Sequence, residues 1–136
     1  IGALDPFSQM PRGKLTGEMR QVARDGVEFL LMHRLYKADH HNYRIINRNW
    51  LKLGFPPFYG GGILRSLDIL TKLGYVDDER LSDAVRVLLS KRRKDGKWVL
   101  EGTPAGRMQA NIEAMGKPSK WVTLISLRIL KRLSKN

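Results

Sequence analysis

The sequence predicts an all-α domain made of two helical hairpins. The octet Ser66–Leu73 (SLDILTKL) returns as Ser126–Leu133 (SLRILKRL), an offset of 60 residues (126 − 66). The stretch Val27–Leu31 (VEFLL) likewise returns as Val85–Leu89 (VRVLL), an offset of 58 residues (85 − 27). No stretch shows the sustained alternation of polar and apolar residues that is typical of strands. Two helices per copy are typical of repeat proteins, whose units bury their apolar faces against their neighbours.

The first copy is predicted to contain two helices separated by a long connection. The first helix covers about residues 17–37, because apolar residues recur there at helical spacing. These residues are Val22, Val27, Phe29, Leu30, Leu31 and Leu35. The second helix begins at Tyr59 or Gly62. It ends before Gly74, because glycine suits the left-handed conformation that follows many helices.

The second copy is predicted to repeat this order. Asp77 or Asp78 caps a third helix that reaches about Arg93. One interpretation of the long connection that follows includes a short helix over Gly106–Met115. Ser119 then caps the last helix, which carries the second octet.

The chain is predicted to form a single folded domain behind a short leader. Residues 1–9 (IGALDPFSQ) do not continue the helical pattern and precede a methionine, so we interpret them as an expression-tag remnant. Residues 10–16 are predicted to be a flexible leader. A single helical-repeat domain covers 17–136, with repeat 1 at about 17–75 and repeat 2 at about 76–136.

The composition excludes several classes of protein. The chain has 136 residues, of which 42% are hydrophobic, enough for one domain with a core. It has no cysteine, which removes disulfides, thiolate nucleophiles and cysteine-ligated zinc. No run approaches about eighteen apolar residues, so an integral membrane protein is not expected. These features predict a cytoplasmic protein.

The charge of the chain favours an anionic partner. The net charge is +12, from 25 Lys and Arg against 13 Asp and Glu. Such an excess favours nucleic acid, anionic lipid or an acidic protein, without choosing among them. The densest run, Lys91–Lys94 (KRRK), lies at the predicted end of the third helix, where cations oppose the negative end of the helix dipole.

The turn Asp95–Trp98 (DGKW) resembles the glutamine–tryptophan motif of the squalene cyclase and prenyltransferase superfamily. In that motif a small, an aromatic and an aliphatic residue precede a Gln, and Gly-x-Trp follows. The second copy has Ala84, Val87, Leu88, Arg92, Gly96 and Trp98 at these positions, and the first copy has Gly26, Phe29, Leu30 and Arg34. Gly54–Pro57 (GFPP) and Trp121 also look like this superfamily. The predicted structural residues of the repeat motif are Phe29, Arg34, Arg92, Gly96, Trp98 and Trp121.

The resemblance implies an α/α toroid of outer and inner helices, without the superfamily's catalysis. The Asp-x-Asp-Asp acid motif of the cyclases is absent, and the zinc site of the protein prenyltransferases needs a Cys. Asp77–Glu79 is acidic but lies at a predicted helix start, where carboxylates cap amides. We therefore predict no catalytic residue and no cofactor. Two hairpins fall short of the roughly three repeats of a stable repeat protein, which predicts self-association or a fragment of a longer chain.

Aromatic residues cluster around the diproline that precedes the second helix. Trp50, Phe55, Phe58 and Tyr59 are predicted to form a ligand-binding wall, with Arg65 one turn into the helix. The alternative is that these aromatic residues belong to the core. The predicted function is binding of an apolar ligand or a protein partner. The alternatives are nucleic-acid binding through the basic surface and a fragment of an isoprenoid-processing enzyme.

Two other constellations carry no predicted site. His33, His40 and His41 lack the spacing and the carboxylates of a metal site, so no metal is predicted. Gly60–Gly62 precedes a helix, but no strand precedes it and no Gly-Lys-Ser/Thr follows. The triglycine is therefore interpreted as a close backbone turn rather than a phosphate loop.

Overall fold

Five α-helices and one two-stranded sheet make up the part of the chain that the computed structural model describes, which is residues 1–40, 42–57, 62–104 and 109–135. The helices are α1 (Asp5–Gln9), α2 (Gly17–Met32), α3 (Ile63–Leu73), α4 (Ser82–Ser90) and α5 (Lys120–Leu133). The strands are β1 (Trp98–Val99) and β2 (Pro118–Ser119). Short 3-10 helices lie at Arg12–Lys14, Arg48–Leu51 and Glu79–Leu81.

The domain is mixed rather than all-α, so the predicted all-α toroid of two helical hairpins is wrong. Helices make up 51% of the structure. Trp98 pairs with Ser119 and Val99 with Pro118 in an antiparallel sheet. Each strand has two residues, which is too short for alternation to show in the sequence. The second long connection separates the two strands, so only the folded chain brings them together.

α2 ends earlier than its apolar pattern predicts. It begins at Gly17 as predicted but ends at Met32, five residues before Lys37 (37 − 32). Arg34 and Leu35 have positive φ angles of 42° and 70°, so the chain turns there instead of continuing as a helix. Leu35 is still buried, because the turn directs its side chain into the core.

The predicted caps at Gly74 and Ser119 are confirmed, whereas the predicted cap of the third helix at Asp77 or Asp78 lies on a 3-10 turn ahead of α4, which begins at Ser82 without a side-chain cap. Gly74 follows α3 in the left-handed conformation, with φ of 95°. The Ser119 hydroxyl accepts a hydrogen bond from the backbone N–H of Val122 at 3.0 Å, which caps α5. A carboxylate oxygen of Asp78 accepts a hydrogen bond from the backbone N–H of Arg80 at 3.0 Å, in the 3-10 turn that leads into α4.

Two helix predictions in the second copy are wrong in detail. α4 ends at Ser90 rather than at Arg93. The chain turns back because Gly96 is left-handed, with φ of 79°, and the N–H of Arg93 donates to the carbonyl of Lys97 at 2.9 Å. The short helix predicted over Gly106–Met115 is not seen in residues 109–115, and residues 105–108 lie outside the described part of the chain.

α3 lies at the centre of the core, and α1, α4 and α5 pack around it. Phe55, ahead of α3, stacks on Trp121 at the start of α5, with ring centroids 5.1 Å apart. Near the other ends of these helices, the Arg132 guanidinium donates to the Thr71 hydroxyl at 3.1 Å. α3 and α5 therefore run in the same direction, and the two octets lie side by side.

Trp98 joins α4 to α5. Its side chain is fully buried, and its indole N–H donates to the carbonyl of Leu88 on α4 at 2.7 Å. Its backbone N–H donates to the Thr123 hydroxyl on α5 at 3.0 Å. Arg92 covers the indole ring, with its guanidinium carbon 5.6 Å from the ring centroid. Trp98 is thus a core residue that contacts both helices of the second copy.

Residues 1–9, interpreted above as a tag remnant, pack against the domain. Leu4 is 4% exposed and lies against Gly26 of α2, where an added Cβ would be 3.0 Å from a Leu4 methyl carbon. The Asp5 carboxylate accepts a hydrogen bond from the Arg65 guanidinium at 2.8 Å, and that interaction lowers the pKa of Asp5. Whatever its origin, this segment contributes contacts to the fold.

An ion-pair cluster joins the two copies. Asp83 of α4 accepts hydrogen bonds from the Lys37 ammonium at 2.6 Å and from the Arg34 guanidinium at 3.1 Å. The Asp83 side chain is 13% exposed. Lys37 first, and then Arg34, hold the pKa of Asp83 below its usual value of 3.8.

We expect Trp98→Ala to lower the free energy of unfolding by about 3–5 kcal/mol, because it leaves a cavity and removes the hydrogen bond from the indole N–H to the Leu88 carbonyl. Urea denaturation followed by circular dichroism measures this change. Trp121→Ala is the matched control, because Trp121 is 38% exposed. Its loss should be smaller by at least about 2 kcal/mol. Equal losses would contradict the role assigned to Trp98.

We expect Asp83→Asn to be less stable than the wild type at neutral pH, and this difference to shrink as the pH falls below the unfolded-state value of 3.8 and through the lower folded-state pKa of Asp83. The folded-state pKa of Asp83 lies below its unfolded value. The ionised carboxylate therefore stabilises the fold above the unfolded value, and this stabilisation is lost as the pH falls through the folded value. Urea denaturation at several pH values measures it. Asp25→Asn, at an exposed site, is the control; a difference independent of pH would contradict the prediction.

Candidate partner-binding surface

The residues of the predicted aromatic wall lie in different places. Trp50 and Arg65 line an open cavity of about 410 Å³ beside the start of α3. Phe55 instead stacks on Trp121, with the ring planes 8° apart. Phe58 and Tyr59 lie outside the described residues. The structure thus brings Trp50 and Arg65 together, whereas Phe55 packs towards α5.

The cavity beside α3 is lined by polar as well as apolar groups. Asn47, Asn49 and Lys52 stand in it beside Trp50. Arg65 forms an ion pair with Asp5, so part of its hydrogen-bonding capacity is already used within the chain. The cavity is widely open, so it does not enclose a ligand as small-molecule sites usually do.

The predicted structural residues of the repeat motif divide between the two copies. In the second copy Gly96 turns the chain, Trp98 is buried and Arg92 covers it. In the first copy Phe29 is 62% exposed, with its ring 4.6 Å from that of His33. Arg34 lies in the turn after α2 and forms an ion pair with Asp83. The motif therefore packs the core in the second copy only.

The two octets have the same sequence pattern but different burial. Ser66 and Ile69 of α3 are buried, and so are their counterparts Ser126 and Ile129 of α5. Two other pairs differ. Leu64 and Leu67 are 5% and 0% exposed, whereas their counterparts Leu124 and Leu127 are 38% and 44% exposed. α5 therefore presents to solvent a stripe of positions that α3 buries.

The same stripe differs in charge between the two helices. On α3, Asp68 and Thr71 accept hydrogen bonds from Arg132 of α5, at 2.8 Å and 3.1 Å. The positions 60 residues later (128 − 68 and 131 − 71) are Arg128 and Lys131, and both are exposed. Two hydrogen-bond acceptors on α3 are thus replaced by two exposed cations at the matched positions of α5.

We call the exposed residues of this stripe the α5 face. It consists of Trp121, Leu124, Leu127, Arg128 and Lys131. Leu124 and Leu127 also border a shallow depression of about 380 Å³, which Lys97 and Lys120 line as well. α5 contains no acidic residue. The face therefore combines large apolar side chains with a positive local field.

The histidines do not form a metal site among the described residues. The Nδ1 of His33 lies 2.8 Å from the carbonyl oxygen of Phe29, and its Nε2 lies 3.5 Å from Asp39. His40 lies 3.5 Å from the same carboxylate, and His41 is outside the described residues. In the ranges that the structure describes, no group of three or more His, Cys, Asp or Glu side chains could hold a metal ion.

Comparisons with protein-family models, with curated proteins and with solved structures found no match. The resemblance to the squalene cyclase and prenyltransferase superfamily thus stays a prediction from motif residues. Across the described chain, every helix is too short or too polar to span a lipid bilayer.

Of the α5 face, only Trp121 was among the residues singled out from the sequence, as a structural residue of the repeat motif. The octet pattern is the same in both copies, so the sequence did not distinguish the burial of the two helices. One signal was visible: Asp68 and Thr71 of the first octet become Arg128 and Lys131 in the second. A change of charge at matched positions indicates a change of neighbour.

The repeat supplies matched sites for a stability test. We expect Leu64→Ala and Leu67→Ala each to lower the free energy of unfolding by about 2–5 kcal/mol, because both side chains are buried. Leu124→Ala and Leu127→Ala should each cost no more than about 1 kcal/mol, because both side chains are partly in solvent. Urea denaturation measures all four. Losses of similar size at matched positions would contradict the exposure of the α5 face.

Proposed function

We propose that this protein is a non-catalytic binding module that docks a partner protein on the α5 face. The observation that carries the proposal is the difference in burial between the two octets. Leu64 and Leu67 are covered by the chain itself, whereas Leu124 and Leu127 are not. Adjacent large apolar side chains left in solvent are typical of interaction surfaces.

The packing of α5 against the core favours binding of a partner without rearrangement of the helix. Val122, Ser126 and Ile129, on the opposite side of the helix, are buried in the core. Ser119 caps the helix, and Phe55 holds one side of the Trp121 ring. A helix anchored in this way presents its exposed side chains at little further cost in conformational entropy, which favours affinity.

A protein partner fits the face better than nucleic acid or an apolar small molecule. Nucleic-acid surfaces combine several phosphate contacts with free aromatic rings, but here Leu124 and Leu127 lie among the cations and Trp121 is stacked. Small-molecule sites enclose most of their ligand, whereas the depression beside Leu124 is shallow. Interfaces combine an apolar centre with a polar rim, and the α5 face has both.

Site-specific photo-crosslinking tests the proposal. A photoreactive phenylalanine analogue at position 124, in cells of the organism that makes the protein, should give a discrete adduct with another protein. The matched control is the same analogue at position 22, because Val22 is an apolar residue on α2 that is 54% exposed. Position 22 should not give this adduct if docking is specific to the α5 face.

Several outcomes would contradict the proposal. An adduct sensitive to nuclease would indicate nucleic acid, and an adduct with lipid would indicate a membrane surface. An adduct of twice the mass of the chain would indicate self-association. Identical adducts from positions 124 and 22 would indicate non-specific contact with exposed apolar side chains.

A further inference from the structure

We infer that the partner docks with an amphipathic helix that carries acidic side chains beside its apolar stripe and lies along α5. This inference rests on the proposed function and adds the chemistry of the partner. The contact between α3 and α5 is the template for this docking, because α3 carries the same octet pattern as α5 and another helix packs against it.

The first step is the geometry of the template. α5 packs along α3 in the same direction, from the stack of Trp121 on Phe55, which precedes α3, to the hydrogen bond between Arg132 and Thr71 near the ends of both helices. Leu64 and Leu67 of α3 are buried in this arrangement. The side of α3 that carries Leu64, Leu67, Asp68 and Thr71 is therefore a surface against which another helix packs, as in other packed helix pairs.

The second step is the shape of the uncovered surface. Leu124, Arg128 and Lys131 follow each other at spacings of four and three residues, so they form a row along α5. From Trp121 to Lys131 the row covers about 15 Å, at 1.5 Å per residue. An amphipathic helix of about three turns matches a row of this length and direction.

The third step is the sign of the charge. In the template, a carboxylate on α3 meets a cation on α5. On the α5 face the matched positions are Arg128 and Lys131, and neither forms an ion pair with any residue in the described ranges. Carboxylates on the partner would complement these cations, whereas a second α5 face would bring like charges together. A second copy docking face to face is therefore disfavoured.

Two synthetic peptides test this inference. Both are fluorescein-labelled helices of about 14 residues with the same leucine stripe, and they differ only in two flanking positions, Glu in one and Lys in the other. Fluorescence anisotropy with the full chain should give an affinity for the Glu peptide at least about tenfold higher than for the Lys peptide. The Arg128→Glu/Lys131→Glu variant should reverse this preference.

A matched control separates the local charge from the net charge. Arg20→Glu/Arg24→Glu changes the net charge of the chain by the same amount, at exposed positions of α2. It should keep the preference for the Glu peptide. Circular dichroism of each variant verifies that it is folded, which we expect because all four substituted side chains are exposed. Loss of the preference in this control would overturn the inference, because the selectivity would then follow net charge.

Failure of the inference differs from failure of the proposed function. If both peptides bind equally and Leu124→Ser/Leu127→Ser abolishes binding, the α5 face docks helices but the acidic partner is overturned. If neither peptide binds although position 124 gives a protein adduct, the helical partner is overturned. If the wild type binds phosphatidylserine vesicles through Leu124 and Leu127 but neither peptide, a lipid surface replaces both proposals.

Discussion

The burial of Trp98 is the interaction on which the arrangement of this domain depends. Its indole N–H reaches α4 at Leu88, and its backbone N–H reaches α5 at Thr123. The same residue forms β1 and pairs with Ser119, the cap of α5. One residue thus ties α4, through its side chain, to the start of α5, through its backbone. Because the rotation of α5 decides which of its residues meet the core, it also decides which ones remain in solvent.

Electrostatics follows from this arrangement. The carboxylates of Asp83 and Asp68 lie between the two copies and neutralise cations there, namely Lys37, Arg34 and Arg132. The formal excess of +12 is consequently expressed elsewhere on the surface. α5 contains no acidic residue, so its exposed side shows cations beside leucines. This combination favours an acidic, partly apolar partner over either a purely charged or a purely apolar one.

The octets show how a repeated sequence acquires two roles. Both copies form a helix that buries the serine and the isoleucine of its octet. The two helices run in the same direction. Within the described ranges, α5 bonds Asp68 and Thr71 of the first copy, and Leu64 and Leu67 beside them are buried, whereas the matched residues of α5 are exposed. A pattern of apolar residues at helical spacing states which side of a helix avoids water. It does not state whether the covering group belongs to the same chain.

The presence of four long helices, the caps at Gly74 and Ser119, and the turn that leads to Trp98 could be predicted from the sequence, because each depends on local backbone chemistry. Four features came only from the folded structure: the two-residue strands, the early end of α2, the packing of residues 1–9 and the exposure of Leu124 and Leu127. These features depend on contacts between distant segments, which local periodicity does not encode. The candidate surface belongs to the second group, because exposure is a property of what lies opposite a side chain.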